Sequence, residues 1–466
     1  MRDDHSRFLE TADRIGSRLC RDALWAGGSC NWLGWSMDQS TWTPVYRALG
    51  PSPGNRLAGA CLYEGTAGIA LFLAQLFSVS RDRIHKCTLE GVLNQVLGQI
   101  RGEKGDRSIL CEAPSGPFRQ NGPVPFFASD DAPDIGFYTG LSGIAYTLIE
   151  AGMVLEHDRL VERGINELAG LRNIRPAPEI VDVMSGSAGV IPVLIDVASR
   201  FGRAELIETA AMHGEHLLSC ADKSDCGWSW ATNARSVRHL TGQSHGVAGI
   251  AWSLMELHAA TGDERFRSAA REGLRYERHF FSAERRNWPD FRLFSEPSLG
   301  VPPSASGESA AAPQFSTAWC HGAPGIGISR LRVRELLPDD GHIAAELDAA
   351  IETTRASLRE PHNFSLCHGH AGNAELLTLA AEQLSRPELL QAAETIGTLG
   401  IDRFSDTGIP WPCGVDAAWE SPTLMLGLAG IGYFYLRLSD PKNVPSVLIR
   451  MPSRPGQISP GIGSPK

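Results

Sequence analysis

One short element, repeated seven times, limits what this 466-residue chain can fold into more than any other feature. Each copy is a Gly-x-x-Gly that opens an apolar run: EGTAGIALFLAQL (Gly65, Gly68), TGLSGIAYTL (Gly140, Gly143), SGSAGVIPVLI (Gly186, Gly189), HGVAGIAWSLMEL (Gly246, Gly249), HGAPGIGISRL (Gly322, Gly325), HGHAGNAELLTLA (Gly369, Gly372) and LGLAGIGYFYLRL (Gly427, Gly430). The first glycines are 75, 46, 60, 76, 47 and 58 residues apart. A step near 60 is too long for a strand-turn-strand unit and suits two helices with their connections.

Between the copies, stretches such as DERFRSAAREGLRYERHFF and ELLQAAETIGTLGIDRF have helical spacing and good helix formers. Each repeat therefore reads as an amphipathic helix, a turn and an apolar helix buried on nearly all sides. Two glycines at the start of the buried helix let backbones approach closely and free the first amides to face a neighbour or a ligand. Seven such starts at one rim would surround a common mouth. No period-2 run lasts beyond a few residues, so strands are not expected and the fold class is all-α. Paired helices suit an open solenoid or a closed ring, and the spacing does not choose between them.

The repeats make residues 1–440 a single domain. Residues 101–135 and 282–316 read as insertions, the second from its Ser-, Pro- and Ala-rich SEPSLGVPPSASGESAAAP. The tail, 441–466, with RPGQISPGIGSPK, reads as disordered.

A net charge of −10 without a long Lys/Arg run argues against nucleic acid or an anionic membrane as partner. The opening MRDDHSRFLE lacks the apolar stretch of a secretory signal, and no segment has the length of a spanning helix. A cytoplasmic chain is expected, and there ten cysteines are not a disulfide framework. Cys20, Cys61, Cys87, Cys111, Cys220 and Cys226 read as small buried apolar residues, and Cys413 in WPCG as packing, with a place lining a site as the alternative.

Chemistry-bearing residues gather just before the glycine pairs of consecutive repeats. Repeats one, two and seven offer Tyr63-Glu64, Tyr138-Thr139 and Met425-Leu426, whereas repeats four, five and six offer Ser244-His245, Cys320-His321 and Cys367-His368. Two thiolates and an imidazole suit Zn(II), and three protein ligands leave a fourth position for water or substrate. Cys320 and Cys367 are 47 residues apart, so the fold and not a local loop would assemble the site. His321 and His368 follow their cysteines at equivalent positions, and the residues alone leave open which one ligates. His245 is a candidate general acid or base, with Asp182 the nearest carboxylate able to orient it, although an aspartate there also suits ordinary capping.

These strings resemble the lanthionine synthetase C-like cyclases, most closely the C-terminal cyclase domain of the class II lanthipeptide synthetases. The resemblance rests on LYEGTAGIALFLA, DVMSGSAGV, GQSHGVAGIAW, YERHFFSAERRNWPDFR, WCHGAPGIG and SLCHGHAGNAELL, and spans nearly the whole chain. It implies an α/α toroid of seven inner helices within seven outer ones. It also implies zinc held by Cys320, Cys367 and His368 at the mouth, with His245 as acid/base and Asp182 as its partner. The implied reaction adds a cysteine thiolate of a dehydrated precursor peptide, carrying its leader, to dehydroalanine or dehydrobutyrine, giving a lanthionine or methyllanthionine ring. Class I relatives carry an arginine where this chain has Ser316 and a tyrosine where it has His321, so His321 is a further candidate for proton transfer or support. The class II synthetases place a long dehydratase region before the cyclase. Here the expectation is a monomer, and either a separate dehydratase serves it or it is an excised or divergent cyclase whose peptide no longer follows that route. Alternatives are a relative that adds glutathione to dehydroamino acids, and a non-catalytic peptide-binding toroid.

Overall fold

The computed structural model describes residues 2–37, 44–50, 57, 59–101, 134–232, 236, 238–292, 314–415 and 419–452. Among them, seven helices open at the glycine pairs: α2 (Thr66–Ser80), α4 (Leu141–Val154), α6 (Ser187–Phe201), α8 (Val247–Thr261), α10 (Ala323–Leu336), α12 (His370–Gln383) and α14 (Leu428–Ser439). Their first three turns are buried almost residue for residue, as helices without a polar face require. The other seven are α1 (Arg2–Asp22), α3 (Arg83–Arg101), α5 (Asp158–Gly170), α7 (Ala204–Ser219), α9 (Glu264–Phe280), α11 (Ile343–Ser357) and α13 (Pro387–Gly400). In α9, Phe266, Ala269, Ala270, Gly273, Leu274 and Glu277 are buried at three- and four-residue steps, and Asp263 caps the first turn by accepting from the Arg265 amide.

Consecutive inner helices pack side by side, and α14 packs on α2, so the ring is closed. The architecture is an α/α toroid. Each inner helix runs through a short turn into the outer helix it packs against most, and α1 completes the last pair by packing on α14. The tight pairs thus run apolar helix first, the reverse of the order expected, because the longer return segments are occupied in building the mouth.

The second glycine of every pair is required by a close approach. A Cβ there would lie 1.7–2.2 Å from the carbonyl oxygen of the residue six positions earlier, from Phe137 at Gly143 to Leu62 at Gly68. That incoming segment also takes up the first helical amides: Ser187 donates to Ile180, Ala188 to Val181, His370 to Asn363 and Leu428 to Ser421. These helix starts are closed by the chain itself and need no side-chain cap, so of the two expected roles for the first amides, a neighbour or a ligand, these take the neighbour.

Three short antiparallel hairpins depart from the expectation of no strands: β1 (Leu24–Ala26) with β2 (Ser29–Asn31), β3 (Leu33–Met37) with β4 (Pro44–Ala48), and β5 (Asp222–Ser224) with β6 (Gly227–Ser229). Runs of three to five residues are too short to display a two-residue period. Most of the insertion expected at 101–135, and residues 293–313 of the second, lie outside the described residues. Residues 282–292 are not a peripheral insertion: Trp288 is fully buried, and Thr241 Oγ1 donates to the Pro289 carbonyl at 2.7 Å.

The tail expected to be disordered from Pro441 is instead packed as far as Pro452. Tyr138 donates its hydroxyl to the Val447 carbonyl at 2.8 Å, Trp319 its indole N–H to Leu448 at 3.0 Å, Tyr433 to Pro445 at 2.8 Å and Arg332 to Pro452 at 3.3 Å. A segment gripped from several repeats round the ring must lie inside it. Val444, Val447, Leu448 and Ile449 are buried there, and their apolar area offsets the cost of ordering the segment. Residues 453–466 lie outside the described residues. Among the described residues, no helix is long and apolar enough to cross a membrane.

Candidate metal centre

Just before the inner helices, main-chain hydrogen bonds run from repeat to repeat and return to their start. Tyr63 N donates to Tyr138 O, Tyr138 to Met184, Val183 to Ser244, Ser244 to Cys320, Cys320 to Cys367, Cys367 to Met425 and Met425 to Tyr63, at 2.8–3.3 Å. Six of the seven donors are the residue two places before the first glycine; the third repeat donates from Val183, one residue earlier. This circuit makes Cys320 and Cys367 neighbours by register.

Sγ of Cys320, Sγ of Cys367 and a ring nitrogen of His368 lie within 4.8 Å of one another. Tetrahedral zinc, with Zn–S near 2.3 Å and Zn–N near 2.0 Å, needs donor atoms about 3.5–4 Å apart. The grouping therefore fits such an ion with little movement, and two sulfurs with an imidazole are a donor set that Zn(II) accepts. Of the two histidines the residues left open, His368 joins the group and His321 does not. His368 Nε2 lies 3.1 Å from the Gly414 carbonyl, so an N–H there leaves Nδ1 with the lone pair.

The hydrogen bond from Cys367 holds the Cys320 thiol below its ordinary pKa against the effect of burial, while the same bond and burial push Cys367 well above it. Tyr63 donates its hydroxyl to Cys367 Sγ at 3.0 Å.

His245 Nδ1 stands 2.6 Å from Asp182 Oδ2, and the Ser185 amide donates to Asp182 Oδ1 at 2.8 Å. The imidazole is 37% exposed and the carboxylate 8%. Burial opposes charge on His245, but the Asp182 carboxylate outweighs it and raises the pKa. His321 lies beneath, 2% exposed, its ring stacked on His245 at 5.9 Å. Burial and the nearby Arg292 charge keep it neutral, and its Nδ1 is 3.9 Å from Asp290, beyond hydrogen-bond reach.

The turn carrying Cys320 and His321 is braced from residues 287–290. Gly322 has φ +90°, a left-handed conformation that favours glycine, and a Cβ there would meet the Ser316 carbonyl at 1.8 Å. Asn287 Nδ2 donates to that carbonyl at 3.0 Å, and Ser316 Oγ donates to Asp290 Oδ2 at 2.7 Å. Elsewhere, Cys20 and Cys61 are buried as expected, but Cys87 is exposed and Cys220 and Cys226 are half-buried; Cys111 lies outside the described residues. Cys413 is buried, as packing requires, and burial pushes its thiol up to about 12.

A family profile described as lanthionine synthetase C-like protein matches residues 58–449, most of the chain. The chain belongs to the lanthionine synthetase C-like family. Among curated relatives, the lacticin 481/lactococcin biosynthesis protein LcnDR2 of Lactococcus lactis subsp. lactis is 25% identical over 283 residues. The match covers 58% of this chain and 26% of that protein, so the chain spans about a quarter of the relative's length. Among solved structures, nisin cyclase superposes with a TM-score of 0.56 at 14% identity, covering 82% of this chain and 88% of that one, which is a likeness of fold.

Within this lanthionine synthetase C-like toroid, Tyr63, Asn287, Asp290 and Arg292 stand beside the cluster, although the motifs that contain them gave them no role. Tyr63 occupies in repeat one the same position that Cys320 and Cys367 hold in repeats five and six, and that equivalence was the available signal. The other three lie in the run YERHFFSAERRNWPDFR, which has no repeat counterpart, so its likeness to the family was the available signal and the three-dimensional arrangement gives them their place.

Proposed function

We propose that the chain is a zinc-dependent peptide cyclase that forms lanthionine or methyllanthionine thioether rings. The observation that carries this reading is the meeting of Cys320, Cys367 and His368 at one end of the toroid, with the His245–Asp182 pair on the same rim.

Bound by these three residues, a zinc ion would supply positive charge that keeps a substrate thiol as its thiolate near neutral pH. Two anionic sulfur ligands moderate that charge, so the substrate sulfur stays nucleophilic. The thiolate adds to the β-carbon of a dehydroalanine or dehydrobutyrine, and the alkene electrons move onto the adjacent carbonyl as an enolate. His245, whose pKa the Asp182 carboxylate raises, delivers a proton to the α-carbon, closing the thioether. His321, buried and without a bond to Asp290, supports the His245 ring and transfers no proton. The substrate must arrive already dehydrated, so a dehydrating activity, on another protein or on another part of a longer one, is proposed to act before it.

The test uses the full chain, zinc-loaded, with a pre-dehydrated cysteine-containing precursor peptide and with the same peptide unmodified. Alkylation of residual thiols followed by mass spectrometry counts the rings. Thiols should disappear only from the dehydrated peptide. Persistence of those thiols would refute the reading, and, in a parallel reaction with glutathione added, a glutathione adduct on the dehydro residues with the peptide thiols still free would favour the glutathione-adding alternative.

A further inference from the structure

Tyr63 touches the cysteine pair directly, and the reaction above gives it no part. Its hydroxyl donates to Cys367 Sγ at 3.0 Å, across 304 residues of chain. The main-chain circuit explains how the two meet. Cys367 N donates to Met425 O and Met425 N to Tyr63 O, so repeat seven alone stands between them, and its equivalent position holds a fully buried methionine. The half-buried Tyr63 ring packs against the core, which leaves its hydroxyl aimed at the sulfur.

The value of that bond depends on the charge of its acceptor. A thiol sulfur accepts weakly, whereas a hydrogen bond to an ionised acceptor is about twice as strong as a neutral one. Cysteine holds a metal as thiolate, so the bond is at its strongest in the metal-bound protein. It also draws electron density from a ligand sulfur, so that less reaches the ion. Repeat two supplies a built-in control. Tyr138 holds the same position, two residues before its first glycine, but its hydroxyl donates to the Val447 carbonyl at 2.8 Å and not to a ligand.

We propose that Tyr63 is a positioning residue of the metal centre: its hydroxyl holds Cys367 Sγ in place as a ligand and tunes the charge which that sulfur gives to the ion. This rests on the metal centre of the cyclase reading. With one ligand sulfur restrained in this way, more of the ion's positive charge is left to hold a substrate thiolate.

Wild type, Tyr63→Phe and Tyr138→Phe, each as the full chain, should be compared for zinc Kd by chelator competition, for the sulfur-to-metal charge-transfer band after cobalt(II) replaces zinc, and for melting temperature. Tyr63→Phe should raise the zinc Kd about 10–100-fold and move the band to longer wavelength, since a sulfur relieved of its hydrogen bond gives up charge more readily. Tyr138→Phe should lower the melting temperature and leave both metal readouts at their wild-type values. Site-specific 3-fluorotyrosine at position 63, a stronger donor of nearly the same size, should move the band to shorter wavelength. A wild-type Kd and band in Tyr63→Phe, or equal shifts in the two variants, overturns the assignment. If Tyr63→Phe does not fold, the fluorinated protein decides alone, since a band left in place would overturn it. A wild type that takes up neither zinc nor cobalt would instead remove the metal reading itself.

Discussion

The 2.6 Å bond between His245 Nδ1 and Asp182 Oδ2 joins two repeats at the point where the main-chain circuit also joins them, through Val183 N and Ser244 O. The imidazole is thus positioned by the same bonds that close the ring. Asp182 raises the His245 pKa against burial. Asp182→Asn removes that support, leaving burial to lower it. Because an acid catalyst works in its protonated form, the alkaline limb of the pH–rate profile should move to lower pH, with kcat reduced by about 10²-fold near pH 8. An unchanged limb would show that His245 does not act as the acid.

The glycine pairs give a stability test with its own control. In Gly372→Ala the new Cβ would lie 1.9 Å from the Leu366 carbonyl oxygen, next to Cys367, so a loss of about 1–3 kcal/mol or more is expected, together with weaker metal retention. Gly98 is exposed on α3 with nothing within 4 Å of an added Cβ, and Gly98→Ala should stabilise by about 0.5–1 kcal/mol. Thermal melts that fail to separate the two would contradict this account of the repeat.

Much of this was legible in the residues. The seven glycine pairs require a repeated close approach, and the helix-length spacing requires paired helices, so an all-α repeat followed directly. The candidate ligands were legible because Cys320 and Cys367 fall at equivalent repeat positions. The closed circuit was not, since its bonds are between main-chain atoms and carry no side-chain signature. Nor was the filling of the ring by residues 441–452: a short apolar run, VLI, beside a Pro/Gly/Ser-rich end has no period, and only the surrounding donors on Tyr138, Trp319 and Tyr433 fix its place.

That filling segment makes the C-terminus structural. Leu448 is 1% exposed and its carbonyl holds Trp319, which directly precedes Cys320. Leu448→Ala should cost about 2–5 kcal/mol. A chain ending at Ser439 should melt far below one ending at Pro452. Equal melting temperatures for the two truncations would mean that the packed segment contributes nothing.

Acid should loosen the toroid through His213. This histidine is 3% exposed, bonded to Ser187 Oγ at 3.0 Å, and burial lowers its pKa to about 4. The unfolded chain takes up the proton near pH 6.5 and the folded chain only near 4, so this contribution to stability is complete above 6.5 and is lost as pH falls toward 4. The whole effect is about 3 kcal/mol. Denaturant midpoints measured across that window should fall for the wild type and fall less for His213→Gln; parallel pH dependences would contradict the assignment.

The central claim is that Cys320, Cys367 and His368 hold one zinc ion. Zinc measured by mass spectrometry in wild-type protein and in Cys320→Ala, each purified without added chelator or metal, tests it directly. About one ion per folded wild-type chain and essentially none in the variant is the predicted result, whereas a metal-free wild type, or a variant that retains its zinc, would contradict the account.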